Sequence, residues 1–436
     1  MNVLLMTHRF PPDGVAGVER ITEDLADGLA RRGEAVTVVT RQWSGRARII
    51  PRWKHEMTPT GVSVERLPGV APSLDRPFRR RDAVTRSFAK AFAAVNPEVV
   101  HLMHAYGFSP ACIELVVRKR VPLVVSLQDF FFACPLVHLE KKDGRLCAGP
   151  NGGAECASTC FVSDPNGAAR WALRAAFFRA VLGAAAEVVA PSKYVASYFL
   201  SEGFAHGRVR VIANGVRVPE RRRMRPVPQS GRLRLAYIGV VTPHKGVDLI
   251  FDALTSVQGR PVAQSLLVAG AEPDPRYTNR LRSVARQLEH TDVVFKGSYE
   301  RSELDSLLNQ TDAVIVPSRV PETFSMTVRE AHASGVPVVV ARIGALAEAI
   351  EEGVTGWSFE PDSADDLARV LEGLASDPDQ IVRARDAVSN VHPFTIDQHT
   401  DAILDLYRRA TVAAESSHAS AAAELGRLRQ SLEQLS

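Results

Sequence analysis

The chain has 436 residues and a mass of 47.5 kDa, more than one hydrophobic core usually serves, so we expect two domains. Hydrophobic residues make up 45% and charged residues 23%, a composition typical of soluble globular enzymes rather than disordered or fibrous proteins. The first residues, MNVLLMTHRFPP, carry no basic leader, and no apolar run reaches the length of a membrane span. We therefore expect no signal peptide, no membrane helix and a cytoplasmic location.

Short β-rich runs alternate with helical segments through the first half of the chain. The runs are VLLMT, AVTVVT, EVVHLMH, PLVVSLQ, AEVVAPS and VRVIANG, and helical patterns lie near 18–31 and 110–120. Strands that alternate with helices favour a parallel, doubly wound sheet. We predict an α/β domain of this class over residues 1–216.

The loop after the first strand is rich in glycine. It has the sequence FPPDGVAGVER over residues 10–20, with Gly17 near the start of the first helix. Glycine lets the backbone approach a ligand closely, and a tight turn without a ligand is the alternative.

Residues 41–90 carry an excess of positive charge. Twelve Lys and Arg residues stand against four Asp and Glu residues, a net charge of +8 that includes Arg79, Arg80 and Arg81. The segment is either a solvated loop or a docking surface for anionic lipid headgroups or a pyrophosphate-linked acceptor. Because no nucleic-acid module accompanies the charge, we expect no nucleic-acid partner.

Two later strand ends in the first half carry polar side chains. His104 lies in HLMHAYGF (101–108) and Gln128 lies in SLQDFFF (126–132). An amide donates and accepts hydrogen bonds, but unlike an imidazole it cannot change its charge near neutral pH. Either side chain is therefore a candidate for ligand binding, but only His104 could carry a proton.

Four of the five cysteines fall in one loop, residues 134–160. Cys134, Cys147, Cys156 and Cys160 have the spacing C-x12-C-x8-C-x3-C. Disulfides are not expected in the cytoplasm, and four thiolates suit a structural zinc ion or, less often, an iron–sulfur cluster. Unligated thiols are the alternative.

The strand pattern breaks at residues 217–231, which are rich in Pro and Arg and are typical of a linker. It restarts with LRLAYIG, SLLVAG, DVVFKG, DAVIVPS and VPVVV, which predict a second doubly wound domain over 232–394. The loop after its first strand, GVVTPHKGVDL, carries Lys245.

The stretch PETFSMTVREAHASGVPVVV, residues 321–340, brackets a predicted helix start with Glu322 and Glu330. The N–H groups of a first helical turn and the positive end of the helix dipole bind phosphate, so the backbone of Phe324, Ser325 and Met326 is a candidate phosphate site. Ionised carboxylates accept hydrogen bonds from vicinal hydroxyl groups. Phosphate and hydroxyl recognition together indicate a nucleotide sugar.

The end of the chain has two parts. Residues 395–411 predict an amphipathic helix, and residues 412–436 predict a polar tail that ends in LGRLRQSLEQL. The leucines at 425, 428, 432 and 435 span little more than one heptad, which favours a frayed terminal helix over a coiled coil.

The pattern from Glu322 to Gly356 resembles the E-x7-E signature of retaining GT-B glycosyltransferases of family 4, also called group 1, and the resemblance covers most of residues 1–410. It implies two Rossmann-like domains facing across a cleft, with the helix of 395–411 crossing back to the first domain. It also implies that Glu322 faces the sugar, Glu330 the ribose and Lys245 the diphosphate. The cysteine loop resembles an insertion found in a subgroup of these enzymes.

The chain departs from the family pattern at three positions. Gln128 stands where the family commonly has a histidine near the donor sugar, Val240 replaces a frequent arginine, and Ala16 replaces the first glycine of a donor-binding pair, so that Gly17 alone is kept. We take His104 as the substitute candidate for an acceptor-side contact.

The resemblance implies retaining transfer of a hexose-type sugar from a nucleoside diphosphate donor to a hydroxyl of a glycan or lipid-linked glycan. Glu322 and Lys245 would be catalytic, and no catalytic divalent metal would be required. A non-catalytic nucleotide-binding subunit of an assembly is the main alternative, and a nucleotide-sugar epimerase is less favoured. A peripheral location on the inner face of the membrane follows from the basic segment, and the oligomeric state stays open.

Overall fold

The computed structural model describes residues 1–14, 16–43, 53–69, 82–205, 207, 209–219, 226, 232–257, 259–260, 262–413 and 418–435. They form two compact units: unit 1 comprises Met1–Gly215 and Ile396–Ser436, and unit 2 comprises Val216–Thr395. None of the helices in these ranges is both long and apolar enough to cross a bilayer.

The described residues of unit 1 form an eight-stranded sheet with the order β3-β4-β2-β1-β5-β6-β7-β8. Neighbouring strands are parallel except for the antiparallel β3–β4 pair. The central strands are apolar because helices cover both faces of such a sheet. The strands are β1 (Asn2–Met6), β2 (Ala35–Trp43), β3 (Lys54–Met57), β4 (Ser63–Gly69), β5 (Val99–Leu102), β6 (Leu123–Ser126), β7 (Glu187–Ala190) and β8 (Val209–Val211).

Five helices connect these strands. They are α1 (Gly17–Arg31), α2 (Asp82–Val95), α3 (Pro110–Arg118), α4 (Gly167–Ala184) and α5 (Lys193–Ser201). The cysteine loop precedes α4 and contains a 3₁₀ turn, Asn151–Gly153, and a π turn, Cys156–Cys160.

The described residues of unit 2 form a six-stranded, all-parallel sheet with the order β11-β10-β9-β12-β13-β14. Its strands are β9 (Leu233–Ile238), β10 (Ala263–Ala269), β11 (Asp292–Gly297), β12 (Ala313–Val316), β13 (Val338–Ala341) and β14 (Gly356–Phe359). Its helices are α6 (Val247–Ser256), α7 (Pro275–Ala285), α8 (Leu304–Leu308), α9 (Met326–Ala333), α10 (Ala364–Ser376) and α11 (Asp379–Ser389). The prediction of two doubly wound α/β domains is confirmed.

The last two helices, α12 (Ile396–Ala413) and α13 (His418–Gln434), belong to unit 1. Helix α12 is fixed to α1 because Arg32 pairs with Asp397 and Asp401. It also reaches the sheet, where the Tyr407 hydroxyl bonds the buried His101 ring at 2.6 Å.

Helix α13 is a packed element, so the expectation of a polar tail with a frayed helix is wrong. Leu425 and Leu432 are fully buried, and the helix lies against α3 and α4. Arg429 pairs with Glu114 of α3 at 2.5 Å. The leucine spacing that is too short for a coiled coil suffices to cover an apolar surface of the same unit.

Two sequence predictions fall on segments that the structure leaves out. Arg79, Arg80 and Arg81 lie outside the described residues, and of the predicted linker only 217–219 and 226 are described.

Candidate functional site

The topology of unit 2 places two loops together at one edge of its sheet. The chain runs from β9 outward to β10 and β11, then returns to β12 on the other side of β9. The loops after β9 and β12 therefore diverge from a topological switch point, where open α/β sheets bind ligands. Lys245 lies on the first loop and Glu322 on the second.

Lys245 and Glu322 form an ion pair at this switch point. The ammonium Nζ lies 2.5 Å from Glu322 Oε1, and the Ser318 hydroxyl donates to the same oxygen at 2.6 Å. The lysine side chain is 29% exposed and the glutamate side chain 15%, so both remain accessible to a solute. The carboxylate is held by a cation and a hydroxyl before any ligand binds.

The backbone of Glu322 is also fixed. It pairs with Gly344, and the Ala345 N–H donates to its carbonyl at 2.8 Å. Gly344 has a φ of +59°, and a Cβ there would lie 2.6 Å from the Glu322 nitrogen. Only glycine suits this left-handed position, so the close backbone contact orients Glu322 into the switch point.

The two loops are joined by Arg319, which sequence reasoning missed. Its guanidinium bonds Asp248 and Asp362, each at 2.6 Å, and the Pro243 carbonyl at 3.1 Å. Its backbone N–H donates to the His244 carbonyl at 2.9 Å. One arginine therefore ties the loop that carries Lys245 to the loop that carries Glu322.

Helix α9 begins beside this pair. Its N-cap, Ser325, has a left-handed backbone (φ 59°), and no capping bond from the Ser325 side chain is seen among the described residues. The first turn is anchored by Thr327, whose hydroxyl donates to the Ile238 carbonyl at the end of β9. Phe324 and Ser325 are buried, so a ligand at this turn would contact their backbone rather than their side chains. Such a turn suits an anionic phosphate.

Glu330 lies one turn beyond Met326 on the same helix and is only 9% exposed. A carboxylate this buried needs hydrogen-bond donors around it. The structure thus brings Lys245, Glu322 and the first turn of α9 together, with Glu330 further along that helix.

Unit 1 has a switch point of its own, between β1 and β5. His8 follows β1, His104 follows β5, and their ring centroids lie 4.2 Å apart. His104 Nε2 lies 2.7 Å from Asp129, which follows β6, and His8 Nε2 lies 3.3 Å from Glu19 of α1. We name His8, Glu19, His104 and Asp129 the histidine–carboxylate cluster. The sequence singled out only His104, because the cluster depends on the order of strands in the sheet.

Burial sets the charges of this cluster. Burial and the neighbouring His104 lower the pKa of His8. Burial opposes ionisation of Glu19 and Asp129, but His8 and His104 outweigh it and hold both carboxyl pKa values below their usual range. Both carboxylates are therefore ionised near neutral pH.

Two other predicted contacts of unit 1 have clear surroundings. The Gln128 amide exchanges hydrogen bonds with the Asn214 amide at 2.9 and 3.0 Å, and both side chains are buried. Gly17 is the first residue of α1, and a Cβ built there would meet no described atom within 4 Å. Gln128 thus joins two strand ends, while Gly17 leaves open space at a helix start.

The cysteine loop does not support the zinc or iron–sulfur prediction. Cys134, Cys147, Cys156 and Cys160 line one pocket, but the described residues contain no group of three or more His, Cys, Asp or Glu side chains placed to hold a metal ion. Burial raises the pKa of Cys134 and Cys147, and that of Cys156 to about 12, which favours neutral thiols over the thiolates a metal needs. The cysteines pack as small apolar side chains.

Two family models match the chain: Glycosyltransferase Family 4 over residues 15–219 and Glycosyl transferases group 1 over residues 220–391. A glycogen synthase of Mycobacterium tuberculosis is 26% identical over 87% of each chain. A D-inositol 3-phosphate glycosyltransferase of Mycolicibacterium paratuberculosis is 33% identical over 40% of each.

Solved structures show the same fold. The sucrose-phosphate synthase of Thermosynechococcus elongatus matches with a TM-score of 0.68 at 18% identity, covering 94% of this chain and 99% of that one. The HepE protein of Anabaena, solved with UDP-glucose, matches with a TM-score of 0.61 at 16% identity over 93% and 99%. The solved structures show the GT-B fold, and the two family models, which together span residues 15–391, show that the chain belongs to the group 1 glycosyltransferases.

Proposed function

We propose that the protein transfers a hexose-type sugar, with retention of configuration, from a nucleoside diphosphate sugar to a hydroxyl of a glycan or lipid-linked glycan. The observation that carries the proposal is the Lys245–Glu322 pair beside the first turn of α9. A cation, a fixed carboxylate and the N–H groups of a first helical turn suit the three parts of such a donor: diphosphate, sugar and leaving-group charge.

Each residue has a role in this proposal. The backbone at Phe324, Ser325 and Met326 receives a donor phosphate, and Lys245 moves from Glu322 to the diphosphate when the donor binds. Glu322 then bonds the sugar hydroxyls, and Glu330 bonds the ribose. Solved structures of the Anabaena HepE protein with UDP-glucose and with UDP support a uridine nucleotide as the first donor to test.

The proposed reaction is a front-face displacement. The bond from the anomeric carbon to the diphosphate oxygen breaks first, and negative charge grows on that oxygen, where Lys245 and the α9 dipole stabilise it. The acceptor hydroxyl attacks the oxocarbenium-like carbon from the face that the diphosphate leaves, and its proton passes to the departing phosphate oxygen.

The acceptor side is proposed for unit 1, with His104 as the candidate contact, and Gly17 and Gln128 are kept as donor-binding candidates. The net charge of +8 over residues 41–90 supports an acceptor held at an anionic membrane surface. Sedimentation with anionic vesicles tests this part: binding should fall as salt rises, because charge attraction is screened within about 8 Å at physiological ionic strength. Binding that ignores salt and lipid charge contradicts it.

The first experiment is a panel of nucleoside diphosphate sugars screened by thermal shift, followed by donor hydrolysis with each hit. We expect one base and one sugar to raise the melting temperature and to be hydrolysed. Proton NMR of the first sugar product should show the donor's anomeric configuration. Inverted product contradicts the retaining mechanism, and no binding by any donor contradicts the proposal.

A non-catalytic nucleotide-binding subunit is the second candidate, because two family positions are changed. Val240 replaces a frequent arginine, and Gln128 is engaged with Asn214. The same panel separates the two: a subunit binds a nucleotide tightly but neither hydrolyses nor transfers its sugar with any acceptor.

A further inference from the structure

The histidine–carboxylate cluster brings together four elements of unit 1. His8, Glu19, His104 and Asp129 come from the ends of β1, β5 and β6 and from the first turn of α1. The side chains of His8 and Asp129 are 16% and 19% exposed, so a solute can reach two of the four members. The position is the unit 1 switch point, where ligands of such sheets bind.

Hydrogen bonds fix how His104 presents its proton. The Tyr106 backbone N–H donates to His104 Nδ1 at 3.0 Å, so the ring proton lies on Nε2 and is donated to Asp129. The Asp129 carboxylate also accepts the Phe131 N–H at 2.9 Å. His104 therefore donates to Asp129 and, with the Phe131 N–H, fixes the orientation of that carboxylate.

Glu19 is fixed from another side. A Cβ at Gly14 would lie 2.8 Å from the Glu19 carboxylate oxygen, so the loop after β1 folds closely over it. Glu19 also lies in the first turn of α1, where its negative charge already meets the positive end of the helix dipole. A carboxylate of the same chain therefore already compensates the positive end of the α1 dipole.

We propose that the histidine–carboxylate cluster binds the hydroxyl or amino groups of a sugar or polyol acceptor that has no phosphate next to its reacting hydroxyl. The inference rests on the proposed transferase function and specifies its acceptor. The partly exposed Asp129 carboxylate, fixed by His104 and the Phe131 N–H, accepts hydrogen bonds from hydroxyl and ammonium groups. Its negative charge and that of the buried Glu19 behind His8 disfavour a phosphate at this position.

Three probes that share one ring test this charge preference: glucosamine, glucose and glucose 6-phosphate. Binding to the full-length protein is measured by saturation-transfer NMR in the presence of UDP. We expect glucosamine to bind at least tenfold more tightly than glucose 6-phosphate, with glucose between them. Tighter binding of glucose 6-phosphate, or no binding of any probe at high millimolar concentration, overturns the inference.

Two variants locate the preference. Glu19→Gln and Asp129→Asn keep the side-chain shape and remove one charge each, and each should reduce the glucosamine preference at least threefold. Asp27→Asn makes the same change on α1, where Asp27 accepts the Thr60 hydroxyl, and should leave the preference unchanged. An unchanged preference in both cluster variants, with circular dichroism showing folded protein, overturns the inference.

UDP affinity, measured on the same samples by calorimetry, separates this inference from the proposed function. Sugar selectivity without binding of UDP or of any other nucleotide of the donor panel contradicts the transferase proposal and keeps the cluster as a sugar site. UDP binding without charge-dependent sugar selectivity contradicts only the inference about the histidine–carboxylate cluster.

Discussion

The two switch points of this chain share a topology and differ in charge. In unit 2 the loops after β9 and β12 hold a lysine–glutamate pair beside a helix whose N-cap side chain makes no capping bond among the described residues. In unit 1 the loops after β1 and β5 hold two imidazoles, the loop after β6 holds Asp129, and α1 carries Glu19 in its first turn. The charges at the switch point of unit 2 thus suit an anion, whereas those at the switch point of unit 1 suit uncharged or cationic groups.

The difference shows which part of recognition the fold supplies. A doubly wound sheet brings strand ends and helix starts together at its switch point, whatever the side chains are. We propose that the dipole of α9 acts on a bound phosphate, whereas the dipole of α1 meets the Glu19 carboxylate of its own chain. Ligand class is therefore decided by a few residues of the first helical turn and of the neighbouring loops.

The largest effect should come from the unit 2 pair. Glu322→Ala removes the fixed carboxylate that we propose faces the sugar, and we expect turnover to fall about 100- to 1,000-fold, the size seen for a lost transition-state contact. Glu330→Ala should instead weaken nucleotide binding by about tenfold, because it removes a ground-state contact to the ribose. Steady-state kinetics and nucleotide titrations of both variants test this. Equal and small effects from both changes in folded protein would contradict the assignment of the donor site to unit 2.

The next effect concerns the stability of unit 1. Leu425→Ala deletes a fully buried side chain of α13 and should cost about 2–5 kcal/mol in the free energy of unfolding. Val412→Ala, at an 82% exposed site of α12, should change it by less than about 0.5 kcal/mol. Urea unfolding gives both values. UDP affinity at low urea should be unchanged, and a loss of affinity in Leu425→Ala would show that the donor site depends on unit 1 packing.

Acid stability tests the core beneath the unit 1 switch point. His101 is fully buried between the Tyr407 and Ser126 hydroxyls, and burial lowers its pKa to about 3. The unfolded chain binds a proton below pH 6.5 and the folded chain does not, so stability falls as pH drops from 6.5 toward 3. This histidine contributes a slope of about 1.4 kcal/mol per pH unit.

In His101→Gln, the unfolding free energy should therefore fall less steeply between pH 6.5 and 5, with the slope reduced by about 1.4 kcal/mol per pH unit. Tyr407→Phe removes a bond to the ring but keeps it buried, so it should lower stability at every pH without changing the slope. Urea melts at several pH values measure both. An unchanged slope in His101→Gln would mean that this histidine does not titrate differently in the two states.

The sequence was sufficient for features that depend on local pattern. Strand and helix alternation identifies two doubly wound sheets, and the motif after β12 locates a helix that begins at Met326. It was insufficient for features that depend on contacts between distant segments. The pairing of His8 with His104 requires the strand order, and the burial of Leu425 requires the surfaces of α3 and α4. The position of Gln128 was identified, but not its bond to Asn214, 86 residues away.

The smallest effect should come from Arg319, which joins the two loops of the unit 2 switch point without being placed on the donor. Arg319→Ala breaks its bonds to Asp248, Asp362 and the Pro243 carbonyl. Because a small displacement of Lys245 against Glu322 weakens the reaction more than binding, we expect kcat to fall about tenfold with KM nearly unchanged.

Lysine lacks the forked guanidinium, so Arg319→Lys should restore only part of the rate. Arg342→Ala breaks an ion pair with Glu360 in which both side chains are more than half exposed, and should leave kcat unchanged. A rise in KM without a fall in kcat, or full recovery by lysine, would show that Arg319 contributes charge to donor binding rather than the alignment of the two loops.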